Sequence, residues 1–380
     1  MSVEPIPIVI VGAGPSGLAV AASLRARGLD AVILDRGEGV GQSWRDHYRR
    51  LHLHTPKQLS HLPGLRFGAD LPQYPSRQQV VDYLEAFARH HALAPRFGVE
   101  VRRASPGAGG WQLETSSGAM AARHLVVASG YNAEPVRPTW EGEADFAGRV
   151  LHSRDYRDGK PFEGQRVMVV GAGNSGAEIA LDLWESGARV AWSVRHPVNI
   201  GPRDPLGLPA QLFGIMNRRL PLAVADGLSR VIIGRFMRGL DRFGLRQPVE
   251  GPATLLARDG RVMLLDVGTI DLVRQGQIQV HAGIERFTAT GVITAQGGAV
   301  PLDAVVLATG YRPRLDRWLT VADQVTDARG HPRWHAAPGG LPGLWFCGFA
   351  NPISGGLRES RIEARRLARH LGRALSRGAA

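Results

Sequence analysis

Gly12-Ala13-Gly14-Pro15-Ser16-Gly17 and Gly171-Ala172-Gly173-Asn174-Ser175-Gly176 decide the reading of this chain. The first hexapeptide follows the apolar run Ile8 to Val11, and the second follows Val167 to Val170. Both run on into Ala/Leu-rich helical stretches. A GxGxxG between a short β-rich run and a helix is the turn of a dinucleotide-binding unit. Its glycines permit the tight turn, let backbone approach a pyrophosphate and allow close helix packing. The helix start then offers free N–H groups to phosphate. Two such turns predict an α/β chain with two Rossmann-like domains, arranged for moving hydride between two dinucleotides.

The residues beyond each turn suggest which dinucleotide it takes. After the first, Ala31-Val32-Ile33-Leu34 ends in Asp35, about twenty residues past the glycines, where a carboxylate accepts a ribose hydroxyl. FAD and NAD both fit there. After the second, the equivalent place is Val194, followed by Arg195 and His196. A carboxylate there would repel a 2′-phosphate, whereas an arginine can pair with one. The expectation is FAD first and NADPH second, with Arg195 as a solvated surface charge the alternative. The halves also end alike, in Ala128-Ser129-Gly130-Tyr131 and Ala308-Thr309-Gly310-Tyr311. Small residues there suit a chain passing close beside a cofactor.

The expected domains are FAD-binding residues 1–160 with 312–380, and NADPH-binding residues 161–311. Residues 200–249 form a helical insertion that is apolar and basic. It reads as a lid over a substrate channel, a peripheral membrane contact, or an ordinary helical layer on the sheet. A helix is expected from Leu357 to Leu375.

Composition narrows the function class. The chain has 380 residues, 44% hydrophobic and a net charge of +12. Lys57 and Lys160 are its only lysines, and the arginines are dispersed, so nucleic acid is not the expected partner. The first strand begins by Ile8 and no apolar run approaches the ~20 residues of a membrane span, so a cytoplasmic enzyme without a signal peptide is expected. The single cysteine, Cys347, excludes the redox pair that pyridine nucleotide–disulfide reductases need, and reads as a small buried apolar residue. The histidines show no zinc-ligand spacing, and no metal is expected.

Between the glycine turns stands Phe146-Ala147-Gly148-Arg149-Val150-Leu151-His152-Ser153-Arg154-Asp155-Tyr156, an FxGxxxHxxxY pattern. With its placement before the second turn, it resembles the signature of class B flavin-containing monooxygenases. The plant YUCCA branch is the most similar, through Leu51-His52-Leu53-His54-Thr55-Pro56-Lys57-Gln58, Tyr74 to Leu84, Asn132 to Pro135 and Leu264 to Thr269. The resemblance covers most of the chain.

That resemblance implies FAD and NADPH as cofactors, O2 as co-substrate and a C4a-(hydro)peroxyflavin shielded by bound NADP⁺ as the oxygenating species. It implies oxidative decarboxylation of an aryl 2-oxo acid, indole-3-pyruvate to indole-3-acetate. N- or S-oxygenation or Baeyer–Villiger oxidation of a small metabolite is the alternative. Tyr156 resembles the monooxygenase form of the signature, since Baeyer–Villiger relatives usually carry Trp there.

His152 would pack against NADPH, or merely cap a turn. In animal members an Asn near flavin and NADP⁺ stands where this chain has His54, so His54 is expected to influence proton balance there. Lys57 is taken as cofactor-adjacent rather than a surface charge, and both His54 and Lys57 are candidate catalytic residues. His52 reads as structural. Trp44 would stack near FAD or sit in the core. Cys347-Gly348-Phe349-Ala350-Asn351 lacks the Gly-Asp that many flavoproteins place on the ribityl chain, so backbone near Ser354, Gly355 and Gly356 is expected to face the isoalloxazine. Gly12, Gly14, Pro15, Ser16, Gly17, Asp35, Arg36, Gln42, Thr55, Val101, Gly171, Gly173, Asn174, Ser175, Gly176, Arg195 and Gly310 complete the expected cofactor set.

Overall fold

A computed structural model of the chain describes residues 6–218, 220–350 and 352–378. The chain divides into two compact units. One holds residues up to 45, 56–134 and 311 onward; the other holds 46–55 and 135–310. The domain boundary expected at residue 160 lies elsewhere. By contacts, residues 135–160 and the short segment 46–55 belong to the second unit.

The first unit opens with β1 (Ile6–Val11), α1 (Pro15–Arg25) and β2 (Val32–Leu34). Ile8, Val9 and Ile10 are all buried, because a parallel strand is covered on both faces and needs no polar alternation. Pro15 stands at the start of α1, where its missing N–H costs nothing. After α2 (Gln42–Arg45), α3 (Arg77–His90) begins in a capping box: Ser76 Oγ accepts from Gln79 N–H, and Gln79 Oε1 accepts from Ser76 N–H. The family-like stretch around Ser76 is therefore a helix start.

β3 (Val101–Gly107), β4 (Gly110–Thr115) and the first half of β5 (Gly118–Val127) form an antiparallel meander. The second half of β5 turns to run parallel with β1. The two-residue β6 (Glu134–Pro135) ends this part of the chain.

The second unit holds β7 (Arg149–His152), β8 (Arg166–Val170), α4 (Asn174–Glu185) and β9 (Arg189–Ser193). Next come β10 (Ile200–Pro202), α5 (Ala210–Asn217), α6 (Leu222–Met237), α7 (Pro252–Asp259), β11 (Leu264–Asp266), α8 (Thr269–Arg274) and β12 (Ile278–His281). An antiparallel trio succeeds them, β13 (Ile284–Thr288), β14 (Gly291–Thr294) and β15 (Ala299–Pro301), and then β16 (Ala304–Leu307). The main sheet runs β12-β9-β8-β16-β7, all parallel. The insertion is helical from α5 onward, but Ile200–Pro202 is a strand paired with β11.

The chain then gives β17 (Tyr311–Arg312), α9 (Ala322–Val325), β18 (Leu344–Phe346) and α10 (Gly356–Gly378). β18 lies parallel to β5, and α10 packs against α1.

Candidate functional site

The two glycine turns have the same geometry. Gly12 and Gly171 have φ of +115° and +122°, a region that L side chains avoid. A Cβ on Gly12 would lie 2.5 Å from Ala128 O, and one on Gly171 would lie 2.3 Å from Ala308 O. These alanines open the two Ala-Ser/Thr-Gly-Tyr segments. The start and end of each half are thus pressed together at a point where only glycine fits. Gly17 and Gly176 pack the helices equally tightly: their added Cβ atoms would lie 1.8 Å from Gly12 O and 2.0 Å from Gly171 O.

The middle glycines differ. Around a Cβ at Gly14 or Gly173 no described heavy atom lies within 4 Å. The fold does not need glycine there, and each open backbone faces a helix start. That is the cradle a dinucleotide pyrophosphate requires.

Asp35 closes the first turn. Its Oδ2 accepts from Ala13 N–H at 2.6 Å and its Oδ1 from Gly37 N–H at 2.7 Å. Ser16 Oγ is engaged with Ser360 Oγ of α10 at 2.8 Å, so its backbone rather than its hydroxyl is left for a phosphate. Arg36 is exposed and reaches Ala133 O. Gln42 accepts from Glu38 N–H at 3.2 Å. Trp44 is half-buried on the four-residue α2, in the first unit's surface rather than its core. The Val101 side chain packs in the core with Val9 and Leu34, which leaves only its main chain for a ligand.

Ser354 is buried, and its hydroxyl donates to Glu359 Oε1 at 2.8 Å. Gly355, with φ of +94°, precedes α10. Asn351 lies outside the described residues. Cys347 is buried, and burial pushes its thiol well above the usual range.

The Lys57 ammonium is engaged with backbone. Its ammonium donates to Gly68 O at 2.9 Å, Ala69 O at 2.7 Å and Leu71 O. An ammonium has three N–H donors, and all three are used on one loop. In the structure, Lys57 is thus a staple for residues 68–71.

In the second unit, Asn174 Oδ1 accepts from Leu265 N–H at 2.8 Å, tying the glycine turn to β11. Ser175 is half-buried beside it at the start of α4. Arg195 follows β9, is exposed, and makes no ion pair among the described residues. Gly310 has φ of +85° and open space around it.

The FxGxxxHxxxY residues all act within this unit. Phe146 is buried against Phe287. A Cβ on Gly148 would strike Asp303 O and the Phe146 ring, both at 2.4 Å. His152 ends β7, and its Nδ1 accepts from Arg154 N–H at 3.1 Å. Burial pushes the His152 pKa down, so the ring is neutral. Tyr156 is fully buried and donates to Asp182 Oδ2 of α4 at 2.6 Å. The signature is a strap holding the segment before β8 onto the second unit.

His54 has a charged, buried partner that the sequence did not foretell. Its Nε2 lies 2.6 Å from Glu178 Oε1, and the Glu178 side chain is only 4% exposed. Its Nδ1 is buried without a hydrogen bond among the described atoms. Glu178 sits on the buried stripe of α4, two residues past Gly176. A carboxylate on an apolar helix face needs a partner, and that was the available signal. Thr55, beside His54, is half-buried. His52 is exposed, with Nδ1 on Arg50 O. Among the described residues, no three His, Cys, Asp or Glu side chains gather as a metal site.

Known proteins share this arrangement. The family description "Pyridine nucleotide-disulphide oxidoreductase" matches residues 9–206. Indole-3-pyruvate monooxygenase YUCCA1 of Oryza sativa subsp. japonica is 42% identical over 90% of this chain and 86% of its own length. Indole-3-pyruvate monooxygenase YUCCA6 of Arabidopsis thaliana is 38% identical over 95% and 88%. A flavin-containing monooxygenase from Stenotrophomonas maltophilia has a solved structure that superposes with a TM-score of 0.76 at 25% identity, covering 98% of this chain and 99% of its own. With two glycine turns, no cysteine pair and this depth of likeness, the chain belongs to the YUCCA branch of the flavin-containing monooxygenases.

Proposed function

We propose that this chain uses NADPH and dioxygen to decarboxylate an aryl 2-oxo acid oxidatively, converting indole-3-pyruvate to indole-3-acetate. One oxygen atom enters the new carboxylate, carbon dioxide leaves, and the second oxygen atom becomes water at the expense of NADPH. The relatives' names support the substrate. The observation that carries the enzyme class is the doubled glycine turn, open at Gly14 and Gly173 and closed at the flanking glycines.

FAD is assigned to the first turn and NADPH to the second. Bound together, the two cofactors supply hydride transfer and the activation of dioxygen. The chain's own residues supply the rest. Backbone N–H groups at the starts of α1 and α4 take the pyrophosphates. Asp35 serves the first ribose, and Arg195 takes a 2′-phosphate in its forked guanidinium. Neutral His152 holds the strap through the Arg154 N–H. At His54, Nε2 sits 2.6 Å from the buried Glu178 carboxylate, which fixes where the ring lies. Nδ1 is buried without a hydrogen bond among the described atoms, and Glu178 is the ring's positioning residue.

Supplying the purified holoenzyme with NADPH, indole-3-pyruvate and heavy-isotope dioxygen tests this reading. Labelled indole-3-acetate with matching NADPH loss supports it. Oxygenation of a soft nitrogen or sulfur compound without attack on the acid keeps the monooxygenase and discards the substrate. Hydrogen peroxide as the sole product overturns it.

A further inference from the structure

Among the described residues, exposed apolar side chains concentrate in one segment. Nine of the eleven large hydrophobic residues exposed among the described residues lie between 206 and 249. Leu206 and Val249 are 87% exposed, Val231 74% and Met216 68%. Scattered surface leucines need no explanation, whereas a concentration of this kind does.

α6 shows the pattern most clearly. Ala225, Ile233 and Met237 hold its inner face. Val224, Leu228 and Val231, at i, i+4 and i+7, form a stripe on its outer face, exposed to water. Arg235 continues that stripe one turn further, and Arg238 follows at the helix end; both are exposed. Arg230 reaches Val249 O at 3.0 Å, tying the exposed Val249 segment to the same helix.

Negative charge is scarce around this face, and Glu250, which follows Val249, is paired with Arg258. Between residues 205 and 240 the only carboxylate is Asp226. It is buried, accepting from Ala253 N–H, Thr254 N–H and the Thr254 hydroxyl at the start of α7. Residues 203–249 contain eight arginines and three aspartates. An apolar stripe rimmed by arginine suits a surface offering hydrocarbon behind negative charge, which is an anionic lipid bilayer. A second copy of the chain, itself carrying +12, would bring arginine against arginine. No described helix is long and apolar enough to cross a membrane, so the contact is with the surface.

We propose that the α5–α6 insertion docks this protein on anionic membrane, with Leu228 and Val231 entering the interface and Arg235 and Arg238 at the headgroups. This stands independently of the substrate.

The test is co-sedimentation of the full-length holoenzyme with phosphatidylcholine vesicles, with and without about one-third phosphatidylserine. The expected result is at least about tenfold tighter binding to the anionic vesicles, weakened by salt. L228D/V231D is expected to lose binding while keeping its flavin and its circular dichroism spectrum. R235Q/R238Q is expected to lose the preference for anionic lipid; because it leaves the apolar stripe intact, it also guards against misfolding of the first variant. Absence of binding to either vesicle overturns the proposal. So does unchanged binding by a folded L228D/V231D protein, which would place the contact elsewhere. A concentration-dependent dimer in sedimentation that L228D/V231D dissociates also overturns it, since the occupant would then be a second copy.

Discussion

His54 Nε2 lies 2.6 Å from the carboxylate of Glu178, a buried residue on the helix that follows the second glycine turn. The contact links a family-like His to the second glycine turn within one compact unit. Glu178→Ala should lower kcat by about tenfold or more, with most of the loss appearing as NADPH consumed without product. Flavin content and the KM for NADPH should change little. The Glu178→Ala/His54→Gln double variant should be no worse than the poorer single one, because both changes remove one coupled unit. Additive losses would mean that Glu178 acts by some route other than His54.

The middle glycines separate the two cofactors. Gly14→Ala and Gly173→Ala each place a methyl in open space, so both proteins should fold normally. Gly14→Ala should be purified with little flavin. Gly173→Ala should retain flavin and raise the KM for NADPH by about tenfold or more, since the methyl occupies the phosphate approach. Gly12→Ala and Gly171→Ala, with positive φ and a carbonyl in the way, should instead destabilise the fold. Flavin retention by Gly14→Ala and loss by Gly173→Ala would reverse the assignment.

Arg195 is exposed and makes no ion pair among the described residues, as a phosphate-reading arginine requires. Arg195→Gln should weaken NADPH by about 1.4–2.8 kcal/mol, a ten- to hundredfold rise in KM, and leave NADH use nearly unchanged. Equal effects on both nucleotides would return Arg195 to a solvated charge.

Lys57→Met should cost about 1–3 kcal/mol of stability, because three carbonyls lose a charged donor. Limited proteolysis should then cut near residues 68–71. Turnover per folded flavin-loaded molecule should stay within about twofold of the parent if the role is confined to the staple. A large fall in kcat with an unchanged denaturation midpoint would make Lys57 a chemical participant.

Burial lowers the pKa values of His152, His281 and His335. A histidine with a depressed folded-state pKa takes up a proton on unfolding once the pH drops below its unfolded value of about 6.5. Stability is therefore full above about pH 6.5 and falls on acidification, with a limiting slope of about 1.4 kcal/mol per pH unit per proton. His281 Nε2 is buried without a hydrogen bond, so His281→Leu should flatten the fall of the urea midpoint between about pH 7 and pH 5.5. An equally steep dependence in that variant would assign the effect to the other histidines.

The two nucleotide-binding turns were legible in the residues alone, because their requirements are local. A positive φ, a carbonyl with no room for a Cβ and a helix start are written into six consecutive residues. The long terminal helix and the small residues that close each half were legible for the same reason. The tertiary structure alone decided what depends on distant partners. It set Glu178 against His54 and spent the Lys57 ammonium on the 68–71 loop. It also assigned residues 46–55 and 135–160 to the second unit and turned the Val224-Leu228-Val231 side of α6 to water. Periodicity shows that a helix has a stripe, but what meets the stripe depends on how the rest of the chain packs.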